Sequence, residues 1–277
     1  MKRRVAARSS LMRLVQDIAH ATAFLTRLPV PPSVFADSRL DFSRQAWAFP
    51  LVSLPLAAAA GAVAGVSAWL HVGPLIGAVL AAATLILLTG ALHEDGLADC
   101  ADGFWGAREP ERRLAIMRDS AVGTYGVLAL IVVFSLRVAA IAALLTAHGS
   151  WLFAALLLGA AAFGRTALLY PWVLEPPAHR GDTGDKGESL AARFGRPDGR
   201  QTRAATALGL ALLVPAALVA GPLALLPAIA FGGAAGLAAT RIAHVKVGGH
   251  TGDTLGATAL LAETGFLLGL LATTSPG

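Results

Sequence analysis

Seven apolar stretches, preceded by one basic segment and interrupted by three more, constrain this chain more than any other feature. Each is roughly 17–25 residues long, the length a helix needs to cross about 30 Å of hydrocarbon. They lie near 46–70, 74–92, 122–147, 151–174, 204–220, 222–240 and 255–272. The pattern predicts an all-α, polytopic transmembrane helical bundle of about 6–7 spans, forming a single integral membrane domain over residues 1–277. Three pairs of stretches are joined by very short breaks, at His71–Gly73, His148–Ser150 and Gly221–Pro222. The fifth and sixth stretches are short, and a re-entrant hairpin is the alternative there.

Charge placement orients the bundle. Of 22 Lys and Arg residues, 20 fall in four segments: the N-terminus to Arg44, 93–121, 175–203 and 241–254. The other two, Arg137 and Arg165, lie inside apolar stretches, and the three short breaks contain neither Lys nor Arg. By the positive-inside rule all four segments share the cytoplasmic side. Loops 93–121, 175–203 and 241–254, remote in sequence, are therefore expected to meet on one membrane face. Seven spans would leave the C-terminus outside.

Composition supports this and excludes other classes. With 56% hydrophobic and 14% charged residues, and a mean hydropathy of +0.66, the chain has too little charge to cover a soluble domain. The net charge of +5 does not indicate nucleic acid, because the basic residues sit in loops between apolar spans. They suit anionic lipid headgroups or a phosphorylated substrate. A single cysteine, Cys100, rules out an intramolecular disulfide and a cysteine-based zinc site.

Residues 1–45 form an N-terminal interfacial segment. Within it, 11–28 reads as an amphipathic helix on the membrane surface, or alternatively as a soluble capping helix. Pro29, Pro31 and Pro32 end it. No cleavable signal peptide is expected, since Arg13, Asp17, His20 and Arg27 interrupt the apolar run.

The chemistry is concentrated after the second span, in His93-Glu94-Asp95-Gly96-Leu97-Ala98-Asp99-Cys100-Ala101-Asp102-Gly103. Asp95, Asp99 and Asp102 are spaced i, i+4, i+7 and share one narrow helical stripe. Three carboxylates so placed repel unless a cation neutralises them, and all-oxygen donors favour Mg²⁺ or Mn²⁺ over zinc. Gly96 and Gly103 lie on an adjacent stripe, where a helix or ligand can approach closely. A plain solvated acidic face would mix in lysine and would not need two helix-weakening glycines.

Further along, Arg118-Asp119-Ser120 leads into the third span, where the helix N-terminus is a candidate phosphate site. Asp119 is a metal ligand or an N-cap. The loop His179–Glu188 is glycine-rich with alternating charge, and reads as a substrate loop or a plain connector. Asp253, in Gly252-Asp253-Thr254, joins the site or caps the last span. Arg137 and Arg165 are costly inside a bilayer, hence functional candidates, with Glu263 as a partner for either one. His20, His71, His148 and His244 are read as structural or interfacial. A transporter would place its carboxylates near the midplane, whereas here only Glu263 does so.

These residues resemble the cobalamin synthase family. The resemblance rests on the 93–103 motif, on Arg118-Asp119-Ser120-x-x-Gly123-Thr124-Tyr125-Gly126, on Phe24–Pro31 and on Gly252-Asp253-x-Leu255-Gly256-Ala257. It runs over nearly the whole chain and is weakest at 176–187. It implies a multi-pass enzyme of the cell inner membrane, its active site facing the cytoplasm. That enzyme would join adenosylcobinamide-GDP to α-ribazole, or to α-ribazole 5′-phosphate, with release of GMP and with Mg²⁺ as cofactor. It implies catalytic roles for Asp95, Asp99, Asp102, Asp119 and Asp253, the first three as metal ligands. Substrate contacts are expected from His93, Glu94, Gly96, Gly103, Arg118, Ser120, Gly123, Thr124, Arg165, Arg180, Lys186 and Gly252. The expected partners are these small molecules and membrane lipid, without nucleic acid; a homo-oligomer or association with other cobalamin-assembly enzymes is a further expectation. A lipid-forming phosphotransferase using the same metal chemistry is the competing enzyme reading, although the motif lacks the Ala-Arg step of the CDP-alcohol phosphotransferases.

Overall fold

The computed structural model describes residues 2–35, 42–178 and 195–274. Helix α1 (Lys2–Leu25) precedes a helical and 3-10 entry (Phe42–Val52) into α2 (Ser53–Trp69). Then come α3 (Pro74–Thr89), α4 (Leu92–Gly106), α5 (Pro110–Ile116) and the long α6 (Thr124–Ala167), followed by a short turn of helix at Leu169–Leu174. The chain closes with α7 (Gly199–Ala211), α8 (Val214–Ala220), α9 (Leu225–Val247) and α10 (Gly252–Leu271). The described residues contain no strand.

Helix α6 is two spans. A straight helix of its 44 residues would be about 66 Å long, twice the hydrocarbon thickness. Arg137 and Arg165 would then lie about 42 Å apart, yet both bind the carboxylate of Glu263. The chain therefore folds back at Gly149, whose φ of 74° and ψ of 163° are non-helical. Gly73 (86°, 154°) and Gly221 (87°, 148°) adopt nearly the same conformation at the other two short breaks. That region of backbone space is open essentially only to glycine. Counting both arms of α6, seven apolar arms are present. Among the described residues, five helices are long and apolar enough to cross a membrane, with the bent α3–α4 pair as a sixth. The fifth and sixth stretches are full-length elements, Gly199–Ala220 and Pro222–Val247, rather than a short re-entrant hairpin.

Helix α10 is the axis of the bundle, with 72% of its apolar window buried against 22–50% for the other spanning helices. Small residues allow this. A Cβ on Gly265 would lie 2.8 Å from the Phe231 carbonyl of α9, one on Gly232 2.8 Å from the Ala262 carbonyl of α10, and one on Gly164 of α6 2.6 Å from the Ala259 carbonyl. Where lipid removes the hydrophobic drive between helices, close backbone packing of this kind holds them together.

The N-terminal helix is docked rather than free-lying. Its His20 is buried and pairs with Gln45 at 3.2 Å, and the Trp47 indole N–H donates to Asp17 at 3.1 Å. Met12, Leu14 and Val15 remain exposed, leaving an apolar patch beside the bundle.

Candidate active site

The acidic helix α4 leaves α3 at an 88° bend. Gly90 (φ 64°) and Ala91 (φ 57°) are both left-handed there. For alanine this conformation costs of order 1–3 kcal/mol, strain of a kind that gathers at functional sites. The bend turns α4 out of the spanning direction and lays its carboxylates along one face of the bundle.

Helix α10 begins on that same face. Thr251 caps it: the Thr254 N–H donates to the Thr251 hydroxyl oxygen at 3.2 Å, and the Thr251 N–H to the Thr254 hydroxyl oxygen at 2.8 Å. Asp253 is thereby released from the capping role that was its alternative reading. Its backbone lies on Gly96, where a Cβ would stand 2.6 Å from the Asp253 carbonyl oxygen. Gly96 thus admits another helix, as its stripe position suggested. Gly103 admits α5 in the same way, 3.0 Å from the Arg113 carbonyl. The loops after the second and third helical hairpins also join: the Ala178 N–H donates to the His250 carbonyl and the His250 N–H to the Pro176 carbonyl, each at 2.9 Å.

The three aspartates of the stripe sit in unlike surroundings. Asp95 is exposed, Asp99 half-buried and Asp102 buried. Burial, then the charges of Asp253, Asp95 and Asp102, push the Asp99 carboxyl up to about 7. Asp102 turns away, accepting the Gly123 N–H at 2.6 Å and the Gly126 N–H at 2.9 Å. The amides at the start of α6 thus hold a side-chain carboxylate, and Asp102 ties α4 to that helix end. Among the described residues, no three His, Cys, Asp or Glu side chains gather into a metal cage. Magnesium does not need one: it takes one or two carboxylates plus waters and substrate phosphates. The hard oxygen donors and crowded negative charge of Asp95, Asp99 and Asp253 fit that requirement.

Other expected residues divide by burial. Arg118, Asp119, Ser120, Gly123 and Thr124 are exposed at the entrance to α6, and Gly252 is exposed at the start of α10. Asp119 is not the cap of α6; its carboxylate accepts the Ala121 N–H at 3.1 Å in a local turn. Arg165, His93 and Glu94 were expected to touch substrate but face inward. Arg165 (2% exposed) donates to Glu263 at 3.1 Å, and Arg137 donates to Glu94 at 3.1 Å and also to Glu263. These charges pair with one another, and Glu94 and Arg137 also line a largely apolar cavity of about 330 Å³. Arg180 and Lys186 lie outside the described residues.

Sequence reasoning missed two ties. Arg113 donates to the Lys246 carbonyl at 2.7 Å, joining α5 to the end of α9; nothing in its local sequence signals that. His250 binds the Glu175 carbonyl at 3.1 Å, which the Gly248-Gly249-His250 turn hinted at without naming a partner. A largely apolar cleft of about 410 Å³ opens between α6, α7 and α9, with Glu175 and Arg241 in its lining.

The fold and this one-sided polar face define a polytopic helical membrane protein with a carboxylate-lined site at one end of its bundle. The family profile for cobalamin-5-phosphate synthase (CobS) matches residues 17–271, and the chain belongs to that family. It is 42% identical to the adenosylcobinamide-GDP ribazoletransferase of Rhizobium meliloti (strain 1021) over 95% of this chain and 98% of the relative. The enzyme of the same name from Sinorhizobium medicae (strain WSM419) is 41% identical over 92% and 95%, and that from Brucella anthropi 38% identical over 93% and 97%. No solved structure gives a significant match.

Proposed function

We propose that this chain joins adenosylcobinamide-GDP to α-ribazole, or to α-ribazole 5′-phosphate, at the cytoplasmic side of the inner membrane. Full-length similarity to ribazoletransferases supports the substrate pair. The observation that carries the chemistry is the seating of Asp253 on Gly96, which gathers Asp95, Asp99 and Asp253 from two helices. A ribose hydroxyl oxygen of the acceptor, free in both α-ribazole and its 5′-phosphate, forms a bond to the phosphorus next to cobinamide, the bond from that phosphorus to GMP breaks, and GMP departs with the bridging oxygen. Such a transfer depends on positioning and charge neutralisation more than on covalent catalysis. Asp95 and Asp99 would hold Mg²⁺, which when bound offsets the pyrophosphate charge. Asp253, reaching in from α10, accepts the hydroxyl proton. Exposed Arg118 binds phosphate oxygens at the rim.

The test is GMP release from adenosylcobinamide-GDP plus α-ribazole in membranes, with and without Mg²⁺. Activity should require the cation and be lost in Asp99→Asn. Near wild-type activity in that variant would refute the site.

A further inference from the structure

Helix α4 is clamped to α6 at both of its ends. At its C-terminal part Asp102 holds the Gly123 and Gly126 N–H groups. At its first turn Glu94 is held by Arg137 at 3.1 Å. Arg137 is in turn anchored to Glu263 of α10, which also binds Arg165 of the second arm of α6. Two arginines and two carboxylates thus form a neutral group, with Arg137, Arg165 and Glu263 each 5% exposed or less. Removed from water, each charge needs its partners, and loss of any one of them is costly.

The placement of Glu94 gives this group a lever on the site. Successive residues on a helix are about 100° apart, so a carboxylate fixed at Glu94 fixes the roll of α4. Asp95 is the next residue and Asp99 stands at about 140° around the axis. The left-handed pair Gly90–Ala91 disconnects α4 from the direction of α3, so its roll depends on its own contacts. Glu263 brings α10 into the same group, and α10 carries Asp253. One buried cluster therefore sets α4 and α10 against each other.

We propose that Glu94 and Arg137, backed by Glu263, are positioning residues that set the spacing between Asp95 and Asp99 on α4 and Asp253 on α10. The inference rests on the reading of Asp95 and Asp99 as the cation-holding pair and of Asp253 as the proton acceptor. Supports behind ligating side chains are typically worth 10–100-fold in metal affinity.

The test uses the purified full-length protein with Mg²⁺ alone, reading its thermal midpoint against Mg²⁺ concentration, alongside the Mg²⁺ needed for half-maximal GMP release. Glu94→Ala should raise both concentrations about 10- to 100-fold. It also leaves an excess buried positive charge, so a second variant guards against misfolding. Glu94→Ala/Arg137→Met keeps the neutral Arg165–Glu263 pair and should recover stability while keeping the Mg²⁺ defect. Wild-type Mg²⁺ dependence in the folded double variant would show that the cluster only balances charge, and would overturn the inference. Asp99→Asn separates the two levels. If it keeps wild-type activity and Mg²⁺ response, the site reading fails; if it abolishes both while the Glu94 variants behave as wild type, only the positioning inference fails.

Discussion

The carboxylate of Asp102 occupies the space that a side chain at Gly126 would need, and the Gly126 N–H donates to it at 2.9 Å. A Cβ on Gly123 would meet the same carboxylate at 2.5 Å. Asp102 is therefore an anchor for the start of α6, although it shares its stripe with two site residues. Asp102→Ala orphans two helix-end amides, at roughly 1–3 kcal/mol for a buried polar group left unpaired. Thermal unfolding in detergent should show a clear loss for Asp102→Ala and a smaller one for Asp102→Asn. Asp95→Asn and Asp99→Asn should cost activity without loss of stability.

Asp99 gives a pH signature. Its carboxyl rises from 3.8 in the unfolded chain to about 7 in the fold. A raised acid favours the folded state when protonated, so its contribution is complete below pH 3.8 and is lost as pH climbs through about 7. Without divalent cations, Asp99→Asn should gain stability relative to wild type between pH 4 and 8. Midpoints that run parallel across that range would contradict the crowding of negative charge at this site.

Glu263 joins both buried arginines. Glu263→Gln leaves them without a full counter-charge, and breaking a buried pair costs about 3–5 kcal/mol. Folded protein recovered from membranes should fall steeply. Exchange of the exposed Arg118 for glutamine should leave the yield unchanged.

Glycine positions give an internal contrast. Gly96→Ala forces the Asp253 backbone away from α4, so GMP release should fall by at least tenfold. Gly233→Ala meets nothing within 4 Å, and should be neutral or stabilising by about 0.5–1 kcal/mol. Equal effects of the two substitutions on turnover would contradict the α4–α10 contact.

Much of this could be read from the chain. The spans follow from length and hydropathy. The shared face follows from where lysine and arginine are missing. The helical spacing of Asp95, Asp99 and Asp102 identified the acidic stripe. Spacing alone could not show that Asp102 points at another helix, because a stripe about 60° wide spans both an open side and a buried one. Nor could it tell that Glu263 takes two arginines at once, since that depends on α6 folding back at Gly149. The role of Thr251 as the cap of α10 was hidden by Asp253, an equally good capping residue two positions on.

Gly73, Gly149 and Gly221 reverse the chain on the side away from the aspartates, and each break is only a few residues long. The three reversals leave the carboxylates of α4 and α10 together at the opposite end of the bundle. A ligand approaching those carboxylates from their own end of the bundle meets none of the three turns. The bilayer here serves as a wall and a holdfast rather than a boundary to be crossed.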